Sequence, residues 1–117
     1  MILDINKLQE EVNYDKKMLY TNLKLFIENE EPVELRLIKA FDKRENDELY
    51  EAAEDLQEMT EFLMLPKLQR KIRDLQMLAL HNNMNSALAE KLKDSLIEIL
   101  NEVKEEINYI LNDQKQN

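Results

Sequence analysis

Apolar residues recur along this chain every three or four positions, which is the spacing of one face of an α-helix. The clearest example begins at Leu49, where mainly apolar side chains fall on one helical face and acidic side chains fall on the opposite face. This pattern predicts that the chain is helical almost throughout. The predicted core face of this segment consists of Leu49, Ala52, Ala53, Leu56, Met59, Thr60 and Leu63.

Interruptions of the pattern divide the first part of the chain into three predicted helices. The first covers roughly 4–12, the second covers about 16–30 with Asp15 as its N-cap, and the third has Pro32 in its first turn. Each of them carries apolar residues at helical spacing. The residues predicted to face inward are Ile5, Leu8, Val12, Leu19, Leu23, Phe26, Ile27, Leu35, Ile38 and Phe41.

The second part of the chain predicts three further helices. Asp47 is the predicted N-cap of the fourth, Pro66 begins the fifth, and the polar loop 81–86 separates the fifth from a long helix over about 86–112. Short loops favour antiparallel neighbours, so we expect one all-α domain over 1–117, an antiparallel up-down four-helix bundle with one or more short additional N-terminal helices. The last two helices are predicted to bury Leu68, Ile72, Leu75, Ala79, Leu88, Leu92, Leu96, Ile99, Val103, Ile107 and Ile110.

Composition narrows the function classes. Glycine and cysteine are both absent, which excludes glycine-rich phosphate loops, disulfides and thiolate metal sites. A formal net charge of −9 disfavours nucleic acid as a partner. The chain shows neither a signal-peptide pattern nor an apolar stretch that could span a membrane. We therefore expect a cytoplasmic protein that needs no cofactor or metal and binds neither membranes nor nucleic acid.

Three runs of sequence carry a family resemblance. They are ILDINKLQEEVNYDKKMLYTNLKLFIENEE, PVELRLIKAFDKRENDELYEAAEDLQ and FLMLPKLQRKIRDLQ. In order and spacing they resemble the histidine phosphotransfer (HPt) domain of two-component phosphorelays, with its LLxLFLxxxP-type run, its AAHxLKG signature and its xLGxxxLxxxxxxLE segment. The resemblance covers nearly the whole chain and implies an HPt-like helical bundle.

The departures from the HPt pattern lie where the family does its chemistry. The phosphoacceptor histidine falls on Glu54, the lysine on Gln57, and the two glycines on Glu58 and Met64. A carboxylate does not replace the imidazole nucleophile, because a carboxyl phosphate is a different and more labile species. The only histidine, His81, lacks the accompanying lysine and glycine. The resemblance therefore implies a pseudo-HPt protein that has no catalytic residues and accepts no phosphate.

The surface around Glu54 is where the HPt family docks receiver domains. The resemblance thus implies a non-catalytic module that binds a response-regulator receiver domain or a histidine kinase and modulates phosphorelay signalling. The carboxylates are expected to select the partner, and an aromatic ring at the edge is expected to provide apolar contact. The predicted partner-binding residues are Glu51, Glu54, Asp55, Gln57, Glu58, Glu61 and Phe62.

Three alternatives stay open. The acidic residues are also explained by an ordinary solvated helix face. Glu54 and Gln57 form an E-x-x-Q pair one helical turn apart, which is loosely similar to receiver phosphatases that position water with an acidic residue and an amide. A structural or assembly bundle, including a homo-oligomer, would place at an interface Tyr14, Met18, Tyr20 and Met84.

Overall fold

The computed structural model describes the backbone of residues 1–116 and the side chains of residues 1–113. Across this part of the chain the secondary structure is helical, with no strand, which confirms the all-α prediction. The elements are α1 (Ile5–Glu11), α2 (Lys16–Asp42), α3 (Asn46–Thr60), a 3-10 turn (Glu61–Leu63), α4 (Pro66–Leu80) and α5 (Ala87–Gln116).

These helices pack into an elongated bundle with extents of 48 × 21 × 21 Å. Its longest helix, α5, has 30 residues and reaches about 45 Å at 1.5 Å per residue, so it runs along most of the length. α2 contacts α3 and α5, α4 contacts the same two helices, and α1 contacts α2. No helix within the described residues combines the length and apolar character that crossing a membrane requires.

The predicted core faces are mostly buried. The side chains predicted to face inward from α4 are all buried, and those of α3 are buried except for a half-buried Met59. Leu35 and Leu88 were predicted to face inward, but the prediction was wrong because they are 56% and 63% exposed. Leu35 is turned outward because α2 buries Glu34 and Leu37 instead.

The predicted break between two helices at Pro32 is also wrong, because α2 continues through it. Proline removes one backbone hydrogen-bond donor and normally disrupts a helix interior. Here the turns on both sides of Pro32 are held by α5. Lys104 Nζ donates hydrogen bonds to Glu30 Oε1 at 3.2 Å and to Glu34 Oε1 at 3.1 Å. This bridge ties together the helical turns on the two sides of the proline.

One predicted N-cap is confirmed and another is not. Asp15 caps α2, since its Oδ1 accepts a hydrogen bond from the Met18 backbone N–H at 3.1 Å. Asp47 does not cap α3, because the helix begins one residue earlier and its N-cap, Glu45, makes no side-chain capping bond. Asp47 lies instead in the first turn, where a negative charge still interacts favourably with the helix dipole.

The helix C-termini use left-handed residues without glycine. After α2 and α4, Arg44 (φ 56°) and Asn82 (φ 59°) adopt the conformation that glycine usually takes at this position. After α2, the Glu45 N–H then donates to the Ala40 carbonyl at 2.9 Å, which satisfies the end of the helix. Met64 (φ 55°, ψ 52°) has the same conformation between the 3-10 turn and α4. Each such residue costs roughly 1 kcal/mol.

Candidate partner-binding surface on α3

The outer face of α3 and of the turn after it carries four exposed glutamates, which we call the acidic stripe: Glu51, Glu54, Glu58 and Glu61. They succeed one another at spacings of three or four residues, so they align on one side of the helix. The core residues of α3 lie on the opposite side. Within the described residues, none of the four forms an ion pair or a side-chain hydrogen bond. The stripe is therefore open to solvent along its length.

Asp55 lies at the border of the stripe with α2 and is exposed, but it is paired within the chain. Its Oδ2 accepts a hydrogen bond from Arg36 Nη1 at 2.9 Å, while Arg36 Nε donates to Glu48 Oε1 at 2.8 Å. Hydrogen bonds to Asp55 and then to Glu48 raise the pKa of Arg36 above its ordinary value. This ion pair joins α2 to α3, so Asp55 is less available to a partner than the acidic stripe.

Gln57 lies at the opposite border, toward α4, and is half-buried. Its backbone carbonyl accepts a hydrogen bond from Gln69 Nε2 at 3.3 Å. The same Nε2 donates to Thr60 Oγ1 at 2.6 Å, and that hydroxyl donates to the Leu56 carbonyl at 2.8 Å. These bonds fix the backbone around Gln57. Among the described hydrogen bonds, none involves its side-chain amide.

Phe62 belongs to the 3-10 turn and packs against α2. Its ring meets Phe26 edge to face, with 6.0 Å between the ring centroids. The two rings line a shallow, mainly apolar groove of about 360 Å³ between α2 and α3, which we call the apolar groove and whose other lining residues are Asn22, Leu25, Asn29 and Met59. Leu25 is 48% exposed, and sequence analysis missed it because it lies off the core periodicity of α2. The acidic stripe therefore borders an accessible apolar surface.

The acidic stripe does not stabilise the helix that carries it. Like charges at spacings of three or four residues repel each other on a helical surface. Glu58 also lies in the last turn of α3, where the helix dipole disfavours a negative charge. The sequence supplies no basic residue in this last turn. Electrostatic stabilisation of α3 therefore does not account for the stripe.

His81 is the C-cap of α4, between Leu80 and Asn82, which line a shallow pocket together with Glu51 of the stripe. It is exposed, and its backbone N–H donates to the Met77 carbonyl at 3.0 Å. Its position at a helix end agrees with the interpretation that it is not a substitute for the phosphoacceptor histidine. That interpretation stays a prediction.

A second cluster of charged residues was missed by sequence analysis. Glu30 is fully buried, Glu34 is 8% exposed, and both accept hydrogen bonds from Lys104 on α5. Glutamate is usually a surface residue, so a pattern of apolar positions passes over it. Their spacing could have revealed them, since Glu30 and Glu34 fall at helical intervals between Phe26 and Leu37 on the buried face of α2.

Burial changes the acid–base properties of this cluster. The pKa of Glu30 is raised to about 7, chiefly by desolvation and then by the hydrogen bond that its protonated form donates to Glu34 and by the charge of Glu34, against the opposing effect of Lys104. For Lys104 itself, burial lowers the pKa, but the hydrogen bonds and charges of Glu34 and Glu30 outweigh that effect and raise it. Lys104 is therefore a cation at neutral pH.

Comparison of the chain with protein-family models, with curated proteins and with solved structures found no match. Within the described part of the chain, no group of three or more histidine, cysteine, aspartate or glutamate side chains is arranged to hold a metal ion.

Proposed function

We propose that the chain has the antiparallel up-down four-helix topology of an HPt domain and serves as a pseudo-HPt module. Contacts between α3 and α4 support this topology. Gln69, near the start of α4, donates to the Gln57 carbonyl near the end of α3. Gln76, about two helical turns further along α4, donates to the Tyr50 carbonyl nearer the start of α3. Later residues of α4 thus contact earlier residues of α3, which is the pattern expected of two antiparallel helices.

The same reversal relates α2 to α3. Phe26, in the first half of α2, packs on Phe62 just beyond the end of α3. Arg36, in the second half of α2, binds Glu48 in the first turn of α3. Both interfaces thus support an up-down arrangement, which leaves the outer face of α3 open to solvent.

The observation that carries the assignment is the backbone conformation of Met64. This position aligns with an HPt glycine, and Met64 has the left-handed conformation that favours glycine. The agreement supports the register of the alignment over a short distance, because Glu54 lies only ten residues earlier. In that register, Glu54 replaces the phosphoacceptor histidine, and the protein accepts no phosphate.

The proposed partner is a response-regulator receiver domain or a histidine kinase, bound at the acidic stripe and the apolar groove. Unpaired carboxylates favour a partner whose contact surface has a basic rim, because like charges would repel an acidic one. The apolar groove beside them would receive an apolar side chain and bury Leu25 and Phe62. Binding without phosphoryl transfer would modulate a phosphorelay by occupying its docking surface.

Binding of purified partners tests this proposal. Each receiver domain and histidine kinase of the source organism is titrated against the wild-type chain, Glu54→Arg/Glu58→Arg, and the matched control Glu98→Arg/Glu102→Arg. The control reverses the same number of charges, at the same spacing, on exposed positions of α5. We expect binding that the α3 variant weakens at least about tenfold and the control does not. Absence of binding to every protein tested, or equal weakening by both variants, would refute the proposal.

The phosphatase alternative is separated by a second assay on the same partners. Exposed Glu54 and the uncommitted amide of Gln57 are the observations in its favour. A phosphatase would accelerate loss of phosphate from a phosphorylated receiver, and Gln57→Ala would abolish the acceleration. Our proposal expects binding with an unchanged dephosphorylation rate. Sedimentation of the isolated chain tests the assembly alternative, which requires a stable oligomer.

A further inference from the structure

In the buried cluster between α2 and α5, two glutamates face the single ammonium group of Lys104, so one positive charge cannot neutralise both carboxylates. Lys104 Nζ lies 3.2 Å from Glu30 Oε1 and 3.1 Å from Glu34 Oε1. The other carboxyl oxygen of Glu30, Oε2, is buried and has no hydrogen-bond partner among the residues that the structure describes. A buried carboxylate oxygen without a partner is expensive for the fold, which indicates that the ionised cluster is incomplete.

We propose that Glu30 and Glu34 form a proton-binding site that couples the packing of α2 against α5 to pH near neutrality. This inference is independent of the function proposed for α3. The site consists of the two carboxyl groups, and Lys104 supplies the balancing positive charge.

Binding of one proton completes the cluster. A protonated Glu30 is neutral and donates a hydrogen bond to the Glu34 carboxylate, which leaves one negative and one positive charge. When the proton is released to solvent, two carboxylates remain beside one ammonium group. The cluster then has an excess negative charge in a poorly hydrated interior, and repulsion between the carboxylates favours their separation.

The surroundings of Glu30 support titration in this range. Burial is the largest cause of its raised pKa of about 7, followed by the hydrogen bond that the protonated form donates to Glu34 and by the charge of Glu34. Lys104, from α5, acts in the opposite direction. Among the described residues, α1 and α3 also pack on α2 but contribute no charged group to this shift.

The position of the site on α2 gives the proton a structural consequence. Pro32 lies between Glu30 and Glu34 and has no backbone N–H, so this turn lacks one of the hydrogen bonds of a regular helix. The bridge through Lys104 compensates by holding both sides of the proline. Loss of the proton weakens that arrangement, so the stretch 28–36 is expected to open locally at higher pH.

Carboxyl carbon NMR on the full chain tests proton binding directly. We expect one glutamate side-chain resonance with a titration midpoint near 7, absent in Glu30→Gln and unchanged in the control Glu31→Gln, whose substituted residue is exposed. Glu34→Gln removes a negative charge and replaces one acceptor oxygen with an amide donor, so it should lower the midpoint. A Glu30 resonance that titrates near the ordinary value of 4.5 would overturn the proposal.

Amide hydrogen exchange tests the coupling to packing. Between pH 6 and pH 8, we expect protection in 28–36 to fall by about tenfold in the wild type after correction for intrinsic exchange. Glu30→Gln should remove this change, and Glu31→Gln should retain it. If Glu30→Gln does not fold, Glu34→Gln replaces it, with a displaced pH midpoint as the expected result. The same pH dependence in wild type and variant would contradict the coupling.

Discussion

Glu30 and Glu34 on α2 have the same four-residue spacing as Glu54 and Glu58 on α3, yet their environments are opposite. The α2 pair is buried and shares hydrogen bonds with Lys104, whereas the α3 pair is exposed and has no ion-pair partner among the described residues. Spacing on a helix is therefore insufficient to assign a role to two glutamates. What determines the role of such a pair is whether another helix covers it and removes it from solvent.

The comparison teaches that burial commits an acidic residue to the fold, while exposure leaves it available. A buried carboxylate requires a cation, a proton or backbone donors, because solvent no longer stabilises its charge. An exposed carboxylate retains its hydration and requires no partner within the chain. The α2 pair is thus expected to control stability, and the α3 pair is expected to control recognition.

The largest effect should follow from removing the buried cation. Lys104→Met leaves two carboxyl groups without their common partner, and we expect the free energy of unfolding to fall by about 3 kcal/mol. Urea unfolding at pH 7 measures this change. Lys91→Met, which removes an exposed cation from the same helix, should change it by less than about 0.5 kcal/mol. Equal effects of the two substitutions would remove the distinction between buried and exposed charges.

A smaller effect should appear as a pH dependence of stability. The unfolded chain releases the Glu30 proton near the ordinary pKa of 4.5, whereas the folded chain retains it up to about 7. The folded state binds more protons between these values, so its stability decreases as pH rises and the contribution is fully lost above 7. Relative to Glu30→Gln, the wild type should lose about 2–3 kcal/mol between pH 5 and pH 8. Parallel stability curves for the two proteins would contradict this expectation.

An intermediate environment should give an intermediate cost. Glu106, a half-buried residue of α5, accepts hydrogen bonds from the backbone N–H groups of Ile2 and Leu3, both at 2.9 Å. Glu106→Ala should destabilise the fold by about 1–2 kcal/mol, because it leaves two backbone donors unpaired. Chemical denaturation measures the loss. Glu105→Ala, at the adjacent exposed position, is the control. If it lowers the free energy of unfolding as much as Glu106→Ala does, the hydrogen bonds of Glu106 to Ile2 and Leu3 are not the cause of the loss.

The smallest expected effect has the opposite sign. Glu54→Gln/Glu58→Gln relieves repulsion and an unfavourable helix-dipole interaction, so it should stabilise α3 by about 0.5 kcal/mol or less. Thermal unfolding at low salt should show the gain, and added salt should reduce it through screening. Destabilisation by more than about 1 kcal/mol would show that the acidic stripe contributes to folding after all.

Much of the fold followed from local sequence, and less of the candidate site did. The exposed glutamates of the acidic stripe were predictable because the core periodicity of α3 leaves them on the opposite face. The engagement of Asp55 by Arg36 was not, because it depends on how α2 lies against α3. The apolar groove was missed for the same reason. Leu25 becomes part of a groove only because α2 packs next to Phe62 and Met59.

The sequence by itself determined where most helices begin and end and which faces of α3 and α4 are buried, because periodicity and the Asp15 cap act over a few residues. Tertiary structure decided the continuity of α2 through Pro32 and the burial of Glu30. Both involve Lys104, which contacts Glu30 from 74 positions further along the chain. Local propensity favours a break at proline and an exposed glutamate, whereas a cation from α5 makes the continuous, buried arrangement tolerable.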